Sequence, residues 1–202
     1  DFSMQIEVGD RSKLLGRVFL SNDRRGRYLS HRIEKRPAGI PTDVQRILND
    51  AATRKTLNSA WRTVAERLLA LGHRGAAGID AMIYRSQSGE LQLRPIVEVN
   101  PRYTFGRIAL ELRNTHTSDE PALMTVLREA DLRAARVNTM EELLQRLASE
   151  GQDVLALTPV GPTSKWAMVR MIGPVSPGTL AALIESRVTN DAFLVQRSSE
   201  AQ

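Results

Sequence analysis

The sequence of 202 residues contains no cysteine, few aromatic residues and no long apolar run. The absence of cysteine excludes disulfides and thiolate metal sites, and the three histidines are too widely spaced to suggest a zinc site. Aromatic residues make up 4% of the chain, which leaves few stacking platforms for single-stranded nucleic acid. No stretch of about 18 apolar residues and no secretory signal is visible. We therefore expect no membrane span and a cytoplasmic location.

Positive charge is what the chain has in excess. The formal net charge is +5 at pH 7, and basic residues are concentrated between Arg24 and Arg36. Such a segment binds nucleic acid or a polyphosphate ligand, or it is a solvated basic loop. The hydrophobic content of 42% and the charged content of 25% are those of an ordinary globular protein.

The first half of the chain carries two strand patterns followed by a helical one. The segments Phe2–Val8 and Lys13–Ser21 flank a Gly-Asp turn and predict two strands. Apolar residues then recur at helical intervals from Val44 to Leu71, which predicts one long helix or two. A capping box at Thr42 and Gln45 predicts where this helical region begins. The order of elements predicts an α+β fold, an antiparallel sheet with helices packed on one side.

The second half predicts a small C-terminal α/β appendage. Helices are predicted at about 105–113, 121–133 and 139–148, followed by strands within 153–160 and 165–173 and a closing helix over 176–187. We expect a first region over residues 1–113 and an extension of unknown role over residues 114–202.

The hairpin between residues 78 and 102 carries three unexpected polar groups, Asp80, Glu98 and Asn100. Side chains alternate faces along a strand, and a turn centred on Gly89 places Asp80 opposite Glu98, with Asn100 on the same face. Two like charges in that arrangement repel each other. A Mg²⁺ ion would offset the repulsion, because it is commonly held by one or two carboxylates together with substrate phosphates. The alternative is a structural salt bridge from these acids to Arg94 or Arg102.

The strings GIDAMIY and VEVNPR, which contain these residues, resemble the C-terminal, metal-binding lobe of the ATP-grasp superfamily. The motif is nearest to the branch similar to carbamoyl-phosphate synthetase, and the resemblance covers about residues 1–113. It implies that Asp80, Glu98 and Asn100 bind Mg²⁺, with Mn²⁺ as the alternative metal. It also implies that these three residues and Met82 contact ATP, and that Arg102 is a catalytic residue that neutralises phosphate charge. Many ligases of this family carry an arginine where this chain has Gly78.

The resemblance implies an ATP- and Mg²⁺-dependent ligase that joins a carboxylate to an amine or thiol through an acyl phosphate. The expected partners are ATP, an unidentified carboxylate substrate and an N-terminal lobe in the same or another chain. We expect the chain to lack that lobe and to be inactive alone. The alternatives are an ATP-grasp kinase, a basic nucleic-acid-binding module and a non-catalytic scaffold. We favour no membrane and no nucleic-acid partner.

Overall fold

The computed structural model describes residues 1–22, 28–33, 35, 40–117 and 120–173. The chain divides into two compact units. The first contains residues 1–20 and 38–115, and the second contains residues 21–37 and 116–202. The short segment before residue 38 therefore belongs with the C-terminal half, although it lies among the strands of the first unit in the sequence.

The described residues form eight strands and five helices. The strands are β1 (Phe2–Val8), β2 (Lys13–Asn22), β3 (Tyr28–Arg32), β4 (Gly75–Arg85), β5 (Leu91–Asn100), β6 (Ala122–Arg128), β7 (Asp153–Ala156) and β8 (Trp166–Ile172). The helices are α1 (Thr42–Asn49), α2 (Ala51–Ala70), α3 (Phe105–Thr115), α4 (Glu129–Ala135) and α5 (Met140–Ser149). The predicted α+β class is confirmed.

The sheet of the first unit has the strand order β5-β4-β1-β2, and its neighbouring strands are antiparallel. The apolar residues of β1 (Phe2, Met4, Ile6 and Val8) pack into one core with Leu57, Trp61 and Val64 of α2. The residues that alternate with them, Ser3, Gln5 and Glu7, point to the opposite face. That face is met by α3, because Gln5 and Glu7 bond to Thr104 and Arg107.

The helical region of the first unit is two helices separated at Asp50. The side chain of Asp50 accepts a hydrogen bond from the backbone N–H of Thr53 and caps α2. The predicted capping box at Thr42 is wrong, because Pro41 occupies the N-cap position and no side chain caps α1. Gln45 instead donates a hydrogen bond to the carbonyl oxygen of Ile40.

The sheet of the second unit has the strand order β3-β6-β8-β7. The predicted helix over 121–133 is wrong, because its first half is strand β6 and only α4 is helical. Strand β6 pairs with β3 on one side and with β8 on the other. A short apolar run such as ALMTVLR fits a buried strand and a buried helix equally well by periodicity, and here the two strand pairings decide the outcome. The helix predicted at about 139–148 is present as α5, and the Thr139 hydroxyl caps it by accepting from the N–H of Glu142.

Two sequence predictions fall mainly outside the described residues. The closing helix over 176–187 lies there, as do Arg24, Arg25, Arg27 and Arg36 of the basic segment. In the part of the chain that the structure describes, no helix is long and apolar enough to cross a membrane.

Candidate metal centre

Strands β4 and β5 form the hairpin in which Asp80 lies directly opposite Glu98. Gly78 lies opposite Asn100, so Asp80, Glu98 and Asn100 share one face of the sheet. The register predicted from the sequence is therefore present at this end of the hairpin. Nearer the turn it shifts by two residues, because Met82 pairs with Arg94.

A bulge in β5 causes this shift. The three residues from Pro95 to Val97 lie opposite the single residue Ala81. Proline has no N–H to donate to the strand ladder, and a bulge is the usual place for it within a sheet. The shift is even, so Met82 and Arg94 stay on the same face as Asp80 and Glu98. The bulge also leaves Ile96 and Val97 exposed, at 39% and 49%.

Asp80 is the more enclosed of the two facing acids. Its carboxylate is half-buried, whereas the side chain of Glu98 is exposed. Burial raises the pKa of Asp80 above its usual value, and the negative charge of Glu98 adds to the rise. A hydrogen bond from the Ser3 hydroxyl and the positive charge of Arg102 act against it. Desolvation and repulsion from Glu98 therefore both disfavour the charged form of Asp80.

Asn100 and Arg102 complete the cluster. The Asn100 amide nitrogen lies 3.4 Å from Oδ2 of Asp80, and the Asn100 oxygen lies 3.3 Å from a guanidinium nitrogen of Arg102. Both contacts are near the upper limit for a hydrogen bond and are correspondingly weak. The Asn100 amide is therefore only weakly hydrogen-bonded to Asp80 and Arg102, and its oxygen can turn toward a bound cation at little cost.

These groups fit the donor set that Mg²⁺ prefers, namely carboxylate and amide oxygens on one surface. They are too few to enclose a metal ion. Among the residues that the structure describes, no group of three or more His, Cys, Asp or Glu side chains could hold one. A cation bound to Asp80, Glu98 and Asn100 would therefore need further oxygen ligands from water or from a phosphate ligand.

The structure gives a physical reason for the glycine at position 78. A Cβ built on Gly78 would lie 3.1 Å from Cγ2 and 3.3 Å from Oγ1 of Thr104, and 3.4 Å from Nε2 of Gln5. The space that a larger side chain would need at position 78 is therefore occupied by Thr104 and Gln5. A cation is nevertheless close to the cluster, because Arg102 contacts the Asn100 side chain.

The sequence predicts Asp80, Met82, Glu98, Asn100 and Arg102 as site residues, and the structure brings them onto one end of one hairpin and the turn after it. Ser3, Gln5 and Thr104, which adjoin Asp80, were not predicted. The signal was present in the string FSMQIEV, in which every second residue is polar. A strict alternation of this kind predicts a strand with one polar face.

No protein-family model matches the sequence, and no curated protein matches it. Among solved structures, the chain is similar to biotin carboxylase from Campylobacter jejuni in its complex with beta-gamma-ATP. The identity is 14% and the TM-score 0.43, over 85% of this chain and 41% of that one. It is also similar to N5-carboxyaminoimidazole synthase from Aspergillus clavatus in complex with ADP and 5-aminoimidazole ribonucleotide. There the identity is 11% and the TM-score 0.41, over 92% of this chain and 50% of that one.

A third similar structure is the biotin carboxylase domain of a thermophilic 2-oxoglutarate carboxylase bound to bicarbonate, with an identity of 10% and a TM-score of 0.36. It covers 85% of this chain and 41% of that one. All three are ATP-grasp enzymes, the superfamily that the hairpin motif resembles. The chain spans half or less of the length of each structure that it matches.

Proposed function

We propose that this chain is the metal-binding lobe of an ATP-grasp ligase. The enzyme would use ATP and Mg²⁺ to join a carboxylate to an amine or thiol through an acyl phosphate. The observation that carries the proposal is the direct pairing of Asp80 with Glu98 on one face of a hairpin, with Asn100 beside them. This arrangement stands within the two sequence motifs that resemble the superfamily.

The charges of the site support a cation as its partner. Two carboxylates that face each other across a strand pair destabilise the sheet, by about 0.2–1 kcal/mol in ordinary cases. Burial of Asp80 adds to that cost, because a half-buried charge has lost part of its hydration. A divalent ion bound here supplies positive charge that shields the phosphate oxygens of a nucleotide. Asp80, Glu98 and Asn100 would orient the ion and hold it at the sheet surface.

Arg102 is placed to act on the phosphates themselves. Its side chain is exposed, and its guanidinium nitrogens lie 3.3 Å from the Asn100 oxygen and 3.5 Å from the carbonyl oxygen of Tyr103. An arginine that is weakly engaged can turn toward an incoming anion at little cost. Positive charge beside a transferring phosphoryl group stabilises the transition state, which is the main task of a protein in such reactions.

We further propose that a second lobe, in the same or another chain, closes over the nucleotide. Lysines that contact the phosphates normally come from that lobe in the superfamily that the motif resembles. This chain has four lysines, and none lies in a segment that resembles such a lobe. Met82 lies on the site face beyond Asp80 and is half-buried, so it would contact the adenine from one side only.

Nucleotide binding with and without metal tests the proposal. We expect ADP to bind the chain in the presence of Mg²⁺ and to bind at least about tenfold more weakly without it. Without the cation, the Asp80 and Glu98 carboxylates repel the negatively charged phosphates of the nucleotide. Glu98→Gln should lower the affinity for Mg-ADP. Glu90→Gln, which changes an exposed acid in the turn of the same hairpin, is the matched control and should not.

Metal-independent binding, or equal affinity in Glu98→Gln and wild type, would contradict the proposal. Product analysis then separates a ligase from a kinase. A ligase gives ADP, inorganic phosphate and a new amide or thioester, whereas a kinase gives ADP and a phosphorylated substrate.

A further inference from the structure

A chain of polar side chains, half-buried at Thr104 and buried at Gln5 and Ser3, runs from the start of α3 toward Asp80. Thr104 Oγ1 donates to Oε1 of Gln5 at 2.9 Å, and Nε2 of Gln5 donates to the Ser3 hydroxyl at 2.8 Å. Ser3 lies directly opposite Asp80 in the β1–β4 pair, and its hydroxyl acts to lower the pKa of the Asp80 carboxyl. Three residues thus connect a helix N-terminus to one acid of the candidate metal centre.

Burying polar side chains destabilises a protein unless they are hydrogen-bonded. Ser3 is 3% exposed and Gln5 is 1% exposed. A buried polar group without a partner destabilises a protein by about 1–3 kcal/mol. Apolar residues of the same size would avoid that risk, and the opposite face of β1 is built from such residues. A polar chain at this place is therefore a feature that packing alone does not require.

The hydrogen bonds all run in one direction. Thr104 Oγ1 accepts the backbone N–H of Arg107 at 3.2 Å, so its own proton is available for Gln5. Thr104 donates to the oxygen end of the Gln5 amide, which turns the nitrogen end toward Ser3. Ser3 accepts from that nitrogen, which leaves its single proton for another acceptor, and Asp80 lies directly opposite it. Each group fixes the orientation of the next.

Gly78 makes room for this arrangement. It pairs with Gln5 across the strands, and a side chain at this position would press on Thr104 and on the Gln5 amide. Asp80 therefore has the Ser3 hydroxyl on one side in the sheet, while Glu98 and Asn100 lie on the other side.

We propose that Thr104, Gln5 and Ser3 are positioning residues that hold the Asp80 carboxylate in the orientation needed to bind a divalent cation. This inference rests on the proposed function, because it assigns Asp80 the role of metal ligand. Partners of metal-ligating side chains orient the ligand, and their loss commonly lowers metal affinity about 10- to 100-fold. The three residues touch neither the cation nor the nucleotide in this account.

The first test needs no metal and no nucleotide. The Gln5 side-chain amide should give a pair of ¹H–¹⁵N NMR signals that exchange slowly with solvent. Thr104→Val and Ser3→Ala should each shift these signals and speed their exchange, and Thr104→Ser should restore them. Thr115→Val is the matched control, because Thr115 ends the same helix and its hydroxyl donates to the Leu112 carbonyl oxygen within it. If neither Thr104→Val nor Ser3→Ala changes the chemical shift or the exchange rate of the Gln5 amide signals, the hydrogen-bond chain is wrong.

The second test measures Mn²⁺ affinity by electron paramagnetic resonance. Ser3→Ala should weaken binding about tenfold, and Thr104→Val should weaken it less, with Thr104→Ser close to wild type. The double variant should match Ser3→Ala, because both substitutions break one chain. Additive losses would instead mean that Thr104 acts only as the cap of α3, and they would overturn the inference.

The two proposals fail in different ways. If Asp80→Asn and Glu98→Gln weaken Mn²⁺ binding while Ser3→Ala and Thr104→Val do not, the metal site stands and the positioning role is wrong. If Asp80→Asn and Glu98→Gln leave Mn²⁺ binding unchanged, the metal site itself is wrong, and the positioning role falls with it.

Discussion

Asp80 and Glu98 face each other across β4 and β5 with their carboxylates on the same side of the sheet. A pair of like charges at this position is unfavourable to the fold, and burial of Asp80 makes it more so. The surrounding groups act against the repulsion only in part, through Ser3 and Arg102. A site of this kind gains most from a bound cation.

Glu98→Gln should leave the metal-free protein as stable as wild type, or more stable by up to about 1 kcal/mol, the upper range for a like-charged pair. The substitution removes the charge that helps to raise the pKa of Asp80. It also removes a ligand, so Mg-ATP should stabilise the variant less than wild type. Thermal melts with and without Mg-ATP measure both effects. A marked loss of stability without metal would instead support a structural salt bridge to Arg94 or Arg102.

Gly78→Ala should destabilise the first unit by about 1–3 kcal/mol, the usual range for overpacking. The new methyl group would meet Thr104 at 3.1 Å and Gln5 at 3.4 Å. Chemical denaturation measures the loss, and Gly9→Ala is the control, because a Cβ on Gly9 meets nothing within 4 Å. An unchanged midpoint in Gly78→Ala would show that Thr104 and Gln5 adapt freely and are not fixed as described.

His31 should make the second unit sensitive to acid. Its Nδ1 lies 3.0 Å from the Tyr28 hydroxyl, and burial lowers the pKa of His31 to about 4. The unfolded chain binds a proton near pH 6.5 and the folded one does not, so stability falls as pH drops from about 6.5 to about 4. The slope from this one group is about 1.4 kcal/mol per pH unit.

His31→Gln should remove that slope, and His73→Gln, at the end of α2, is the control. Urea denaturation at several pH values from 7 to 4 measures the difference. An equal acid sensitivity in His31→Gln and wild type would show that other groups cause it.

The chain alone should bind Mg-ATP weakly, with a dissociation constant on the order of 1 mM, equivalent to about 4 kcal/mol. The proposed second lobe would cover the nucleotide. On the surface of the hairpin by itself the nucleotide stays largely hydrated, and its contacts with the acids are screened by water. Calorimetry measures the affinity. Micromolar binding, or ATP turnover by the 202-residue chain, would show that the site is complete as it stands.

Local sequence was enough to predict the hairpin face, because strand parity and one turn fix which side chains meet. It was not enough for β6, where ALMTVLR fits two structures and pairing with distant strands decides between them. The bulge from Pro95 to Val97 was visible as a proline in a strand, but its size depends on how β4 and β5 fit together.

The buried chain behind Asp80 shows a different limit. The alternation of polar Ser3 and Gln5 with apolar residues is readable in the sequence. The hydrogen-bond partner of Gln5, Thr104, is 99 positions away and is not. The helix that brings Thr104 over Gln5 is predictable, but the face of the sheet on which it lies is not. The role of Gly78 became clear only from the atoms around it.

The most direct test of the central claim is to map where a divalent cation binds. Mn²⁺ titrated into ¹⁵N-labelled protein broadens the NMR signals of nearby amides, and this works at millimolar affinity. The account predicts that broadening is centred on Asp80, Glu98 and Asn100, is competed by Mg²⁺, and is strongly reduced in Glu98→Gln. Broadening centred elsewhere, or unchanged in Glu98→Gln, would contradict it.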